Sequence, residues 1–173
     1  MGEVFVPDWA APANVKALQT MRNGGTSRMP WASFNLGDHV GDDPAAVAAN
    51  RQALRAALPG EPRWLRQVHG IVAVDADQEA KTGVADAAFA RRPGTVCAVM
   101  TADCLPVLLC DRRGSVVAAA HGGWRAYALV APALGGTVFD CRRHCAGLRF
   151  VHFPPRSLRI RSINWSTAFK ASG

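Results

Sequence analysis

No apolar run in the chain approaches the roughly 20 uncharged residues needed to span a bilayer, and the start, Met1-Gly2-Glu3-Val4-Phe5, lacks the basic, then apolar character of a secretory signal. These absences predict a soluble, cytoplasmic protein with no membrane partner. The five cysteines, at 97, 104, 110, 141 and 145, form an odd set with no framework spacing, which in a reducing compartment favours thiols that pack, coordinate or react over disulfides. Cys97 and Cys110 lie inside apolar runs and read as small core residues. There is no internal repeat, no low-complexity tract and no phosphate-loop pattern. The Gly24-Gly25 and Gly122-Gly123 pairs are explained by tight turns.

Acidic residues are scarce in one place only. Residues 1–125 carry 13 Lys+Arg against 12 Asp+Glu, whereas 126–173 carry 7 against 1, so the net charge of +7 belongs to the tail. That tail lacks a nucleic-acid-binding motif, and the aromatics near its arginines reduce to Phe150 and Phe153. A solvated, partly disordered segment with no nucleic-acid partner is the expectation.

A length of 173 residues suffices for one domain that buries roughly 70% of its unfolded surface. Residues 15–21 alternate weakly and predict a short strand before the turn at Gly24-Gly25. Asp42 or Asp43 ahead of Pro44 is a helix start, with the acid as N-cap and proline at the first helical position. That helix is expected over 44–57, with Val47, Leu54 and Leu58 as its apolar stripe and Arg51 and Arg55 on another face, before Pro59-Gly60 ends it. Strands are expected over 64–68, 71–74, 95–101, 106–110 and 115–120. The last two flank Asp111-Arg112-Arg113-Gly114, a hairpin turn that should bring Cys104 and His121 to the same end of adjacent strands.

Three soft or borderline ligands each close an apolar run: His69 after Trp64-Leu65-Arg66-Gln67-Val68, Cys104 before Leu105-Pro106, and His121 after three alanines. Converging from strand ends, they can share one metal and leave its fourth position open, the catalytic rather than the structural zinc arrangement. The rival reading of the same residues is a metal-free thiol hydrolase, with Cys104 as nucleophile and His121 or His69 as base.

Taken in order, Asn23-Gly24-Gly25-Thr26-Ser27, Ala32-Ser33-Phe34-Asn35-Leu36-Gly37-Asp38-His39-Val40-Gly41-Asp42-Asp43, Gln67-Val68-His69-Gly70, Thr101-Ala102-Asp103-Cys104-Leu105-Pro106-Val107-Leu108-Leu109 and His121-Gly122-Gly123-Trp124-Arg125 resemble the YfiH-type family. The group is named for laccase-domain or multicopper polyphenol oxidase proteins and is associated with purine nucleoside phosphorolysis. The resemblance implies a layered α/β sandwich with a mixed sheet, and zinc held by His69, Cys104 and His121, with copper as the other candidate ion. It implies purine nucleoside and phosphate as substrates, through phosphorolysis of adenosine and inosine. Related action on methylthioadenosine, adenosine deamination and a copper-linked polyphenol oxidase activity come with it. It covers about residues 15–125, and residues 1–125 are the expected metal-binding catalytic region. Residues 126–173 lack the family's later pattern, and the abrupt jump in charge there predicts a frameshifted or truncated portion and a fold incomplete at the C-terminus.

Further site candidates each have a plainer reading beside the functional one. Asp103 either orients a ligand imidazole through its second nitrogen, completing a catalytic set with His69, Cys104 and His121, or is a turn aspartate. Asn35 either reads a sugar hydroxyl or base edge, or is a turn residue. Arg51 and Arg125 either clamp phosphate or are solvated. Cys141, His144, Cys145 and His152 form only a superficial second cluster, without flanking pattern. A single His/Cys/His set falls short of the ligand sets that multicopper chemistry needs. From a different class, a noncatalytic interaction protein tied to cell-wall precursor editing is a further alternative. The oligomeric state is open.

Overall fold

The uninterrupted apolar runs become the inner strands of two facing sheets in a computed structural model of the chain, which describes residues 2–78, 83–102, 104–122, 148–152 and 164–171. In chain order the described elements are β1 (Val4–Phe5), β2 (Val15–Thr20), α1 (Pro44–Arg55), β3 (Pro62–Arg63), β4 (Ala73–Asp75), β5 (Ala87–Ala90), β6 (Val96–Thr101), β7 (Leu105–Asp111), β8 (Val117–Gly122), β9 (Leu148–His152) and β10 (Asn164–Lys170). One sheet runs β1-β2-β10-β6-β3 and the other β4-β5-β8-β7-β9. Both are mixed: β3 pairs parallel with β6 and β4 parallel with β5, while the remaining neighbours are antiparallel. The protein is thus a mixed α/β fold of layered sheets.

Every residue of β6 is buried, because its two faces serve two different cores. Cys97 and Val99 point to the sheet-to-sheet core, where they join Leu108 and Cys110 of β7 and Val117 and Ala119 of β8. Val96, Ala98 and Met100 point the other way, toward Phe34, Leu36 and the helix residue Leu54. A strand covered on both sides reads as a continuous apolar run rather than an alternating one, which is why these strands are visible in the sequence. Each fully buried Leu, such as Leu54 and Leu108, contributes about 1.5–3 kcal/mol of burial free energy. Cys97 and Cys110 are fully buried packing residues, and burial, reinforced by Asp77, pushes the Cys97 thiol far up.

The helix begins as its caps dictate. The Asp43 carboxylate accepts the Ala45 N–H at 2.9 Å, and Pro44 occupies the first turn. Val47, Leu54 and Leu58 are buried as a stripe. The helix ends at Arg55, two residues short of the expected 57, because the chain tightens there. The Ala57 N–H donates to the Leu54 carbonyl at 3.0 Å and the Leu58 N–H to the Arg55 carbonyl at 3.1 Å.

The expected strand over 64–68 is not one. Only Pro62 and Arg63 join the ladder of β6, and Arg66 makes an isolated parallel bridge to Val84. Beyond it the Val68 and His69 amides turn to a side-chain carboxylate instead of a neighbouring strand. The strand expected over 71–74 is shifted to Ala73–Asp75. Two further strands come from the basic segment. β10 lies in the middle of its sheet, antiparallel to β2 on one side and to β6 on the other, and β9 pairs with β7. Among the described residues no helix is long and apolar enough to cross a membrane.

Candidate metal centre

The ends of β5, β7 and β8, the three inner strands of the second sheet, lie level with one another. The β7–β8 hairpin closes through Gly114, whose φ of 65° suits a residue without a Cβ, and its register sets Pro106 opposite His121 and Leu105 opposite Gly122. Cys104, immediately before β7, therefore emerges beside His121, as the hairpin argument predicts. On the other flank of β8, Ala87 lies opposite Ala120, so Asp86, one residue before β5, comes level with His121. The His121 N–H donates to the Asp86 carbonyl at 2.7 Å.

His69 does not end a strand. It sits in a loop with φ of 56°, the left-handed region that a side chain with a Cβ adopts only when its surroundings hold it there. The holding group is the Asp86 carboxylate. Its Oδ1 accepts the His69 N–H at 2.8 Å, and its Oδ2 accepts the Val68 N–H at 3.1 Å and the Gly70 N–H at 2.7 Å. Oδ1 also lies 2.9 Å from Nδ1 of His121. Further back in the same loop, Gln67 bonds to the Met100 backbone of β6 through both ends of its amide.

The result is that one ligand atom from each of His69, Cys104 and His121 lies within 4.8 Å of the others. The two imidazole rings meet edge to face, with centroids 4.7 Å apart and planes at 74°. Burial is graded across the set: His121 is 4% exposed, Cys104 is partly buried and His69 is exposed, so the cluster faces solvent on the His69 side. With Nδ1 of His121 taken by Asp86, its Nε2 is the nitrogen left to coordinate. Two nitrogens and one sulfur at this spacing suit a borderline-soft ion such as zinc or copper.

Electrostatics follow from burial. Asp86 is 1% exposed, and desolvation alone would raise its pKa. The His121 ring and the Gly70 and Val68 N–H groups outweigh that and hold the carboxyl below its ordinary range. For His121, desolvation and the nearby His69 lower the pKa more than the Asp86 carboxylate raises it, so the ring is held toward its neutral, coordinating form.

The other sequence candidates lie elsewhere or are engaged. Asn35 is fully buried and closes its own loop: its Nδ2 donates to the Gly37 carbonyl at 3.1 Å and to Asp42 at 2.9 Å, and its Oδ1 accepts the Gly37 N–H at 3.0 Å. Arg51 donates from Nε to the Leu36 carbonyl at 2.9 Å, pairs with Asp38 at 3.3 Å and stacks 4.1 Å above the Trp64 ring. Asp103, Arg125, Cys141, His144 and Cys145 fall outside the described residues, and of His152 only the backbone, in β9, is described. Sequence reasoning missed Asp86 and the role of Gln67. A carboxylate flanked by alanines at the head of an apolar strand is the signal for the former, since a buried charge requires partners.

Fold and site together define a two-sheet α/β protein with a His/Cys/His cluster, of the kind that can hold a metal, at the end of its central hairpin. The chain belongs to the YfiH-type family: residues 16–142 match the family model described as multi-copper polyphenol oxidoreductase laccase. A purine nucleoside phosphorylase of Pseudomonas aeruginosa is 52% identical over 128 residues, 74% of this chain and 52% of the relative. Purine nucleoside phosphorylase YfiH of Escherichia coli is 51% identical over 129 residues, covering 72% and 53%. Among solved structures, a Neisseria meningitidis protein matches with a TM-score of 0.67 at 51% identity, covering 72% of this chain and 52% of that one. The YfiH protein of Bacillus licheniformis matches at 0.68 and 28% identity, covering 81% and 58%. The chain spans about half the length of the curated relatives it matches.

Proposed function

We propose that the chain acts as a zinc-dependent purine nucleoside phosphorylase on adenosine, inosine and methylthioadenosine, with adenosine deamination at the same site. The observation that carries this is the convergence of His69, Cys104 and His121 within 4.8 Å, in a chain about half identical to proteins named purine nucleoside phosphorylases. Those three residues would hold the ion, and zinc held there would supply Lewis acidity.

The chain's own residues do the rest. Asp86 keeps Nδ1 of His121 occupied, so that ring presents one nitrogen only. His69, on the exposed side, marks where a nucleoside and phosphate enter. In phosphorolysis a phosphate oxygen forms the new bond to the anomeric carbon, the bond from sugar to base breaks, and the purine leaves with its electron pair. Arg125 is the proposed phosphate clamp and Asp103 the proposed partner of a ligand imidazole. Arg51 and Asn35 would contribute to substrate binding by fixing the loop from Asn35 to Asp42 that they bridge.

A second reading rests on one specific observation. Asp86, His121 and Cys104 stand in the order of an acid, base and thiol nucleophile, so a metal-free thiol hydrolase would use the same side chains. Zinc that survives dialysis in stoichiometric amount supports the phosphorylase and excludes the thiol enzyme. The activity test is incubation with inosine and phosphate. Hypoxanthine is expected from the wild type and not from His69→Ala, and no hypoxanthine from folded, zinc-loaded protein would overturn the proposal.

A further inference from the structure

We infer that Asp86 is the positioning residue of the metal centre: one carboxylate sets both the tautomer of His121 and the backbone conformation of His69, so that the two imidazoles face a common point. The inference rests on the metal reading of the site and is independent of which reaction the site performs.

Four N–H donors converge on two oxygens. Oδ1 takes the His69 backbone N–H at 2.8 Å and lies 2.9 Å from the His121 ring nitrogen, while Oδ2 takes the Val68 and Gly70 N–H groups at 3.1 and 2.7 Å. Three successive backbone amides aimed at one anion fold the chain around it, and the left-handed φ of 56° at His69 is the consequence. A carboxylate is the only side chain of this size that accepts at both of its atoms. Asparagine has one oxygen and one NH2 group, and whichever way it is turned, two of the four donors face another donor. The effect therefore depends on chemistry and not on shape.

Charge points the same way. Asp86 is 1% exposed, and the His121 ring against it, itself 4% exposed and held toward its neutral form, leaves the carboxylate charge uncompensated. A coordinating cysteine is a thiolate. Thiolate and carboxylate together would place two negative charges side by side, the carboxylate buried and the thiolate partly so, and a divalent cation would neutralise both. Asp86 thus raises the basicity of the imidazole it touches and supplies half of the charge the ion meets, while coordinating nothing itself.

The test compares wild type with Asp86→Asn, which preserves volume, and uses Val47→Ala, a core truncation in α1, to show what a merely less stable fold does. Zinc affinity is measured by competition with a chromophoric chelator, and the His121 tautomer is read in metal-free protein from long-range 15N–1H correlations. Asp86→Asn is expected to bind zinc about 10–100-fold more weakly and to lose the uniform Nδ1–H tautomer, while its circular dichroism spectrum stays that of the wild type. Val47→Ala is expected to melt earlier and to keep wild-type zinc affinity and tautomer. Wild-type zinc affinity in Asp86→Asn, or an unchanged tautomer, overturns the inference. Wild-type protein that binds no zinc would overturn the metal reading instead, and the tautomer comparison would still decide the role of Asp86.

Discussion

Gln67 and Met100 are joined by two hydrogen bonds, Nε2 donating to the Met100 carbonyl at 2.8 Å and Oε1 accepting the Met100 N–H at 2.7 Å. A primary amide carries the donor and acceptor of a peptide group, so Gln67 stands in for the strand neighbour that β6 lacks past the two residues of β3. Gln67→Leu leaves both Met100 groups buried without these partners, and Met100 is 6% exposed. We expect a loss of about 2 kcal/mol in urea unfolding. Gln67→Glu, which faces the Met100 carbonyl with an acceptor, should also lose stability. Unchanged midpoints in both variants would contradict this role.

Cys104 is the proposed ligand that a single-atom change tests most directly. An ion that binds the folded chain alone stabilises it by about 2.7 kcal/mol at a free concentration 100 times its dissociation constant. Zinc should therefore raise the Tm of the wild type, and Cys104→Ser, whose hydroxyl is a poor substitute for a thiolate, should lose most of that rise. Differential scanning calorimetry with and without a chelator reads the difference, and an equal rise in both proteins would remove Cys104 from the ligand set.

The central hairpin and the helix were legible because their signals are local. Asp43 and Pro44 specify a helix start within two residues, and the strand from Val117 is a run of small apolar side chains that only a doubly covered strand needs. Cys104 and His121 were legible as a pair because they stand at the same end of the two strands of that hairpin, whereas His69 follows an apolar stretch that is not a strand and joins them through its loop. Asp86 was not, since nothing in sequence spacing links it to an amide 17 residues before it or a ring 35 residues after it. β10 was illegible for a related reason: Asn164–Lys170 is a strand because β2 and β6 leave a slot between them, and charge composition says nothing about the edges of other strands. The stretch 64–68 was misread because its apolar residues suit a strand while its amides are taken by a carboxylate, which no periodicity reports.

Arg51 is tied down by three different kinds of contact, a hydrogen bond to the Leu36 carbonyl, an ion pair with the exposed Asp38 and stacking on Trp64. The ion pair is worth little in solvent, so the hydrogen bond and the stacked stem should dominate. Arg51→Ala is expected to destabilise the fold by about 1–2 kcal/mol without any substrate present. Arg51→Lys should recover little, because an ammonium has neither the planar face nor the fork. Full recovery of the melting temperature by lysine would show that charge alone matters there.

Asp111 gives the hairpin an acid-sensitive clasp. Burial alone would raise its pKa, but the Ser115 hydroxyl, the Val116 and Ser115 N–H groups and the charge of Arg113 together hold it below its ordinary value of 3.8. A carboxyl whose folded pKa is depressed stabilises the fold above its unfolded value, and that contribution is lost as pH falls through the folded one. Asp111→Asn should therefore cost about 1 kcal/mol at neutral pH, where the charge-assisted bonds are intact and partly screened. The gap between the two proteins should stay constant down to about pH 5 and close below about pH 4, where the wild-type carboxyl takes up its proton. Urea midpoints measured across that range check the sign, and a gap that widens on acidification would show that the carboxylate opposes the turn it closes.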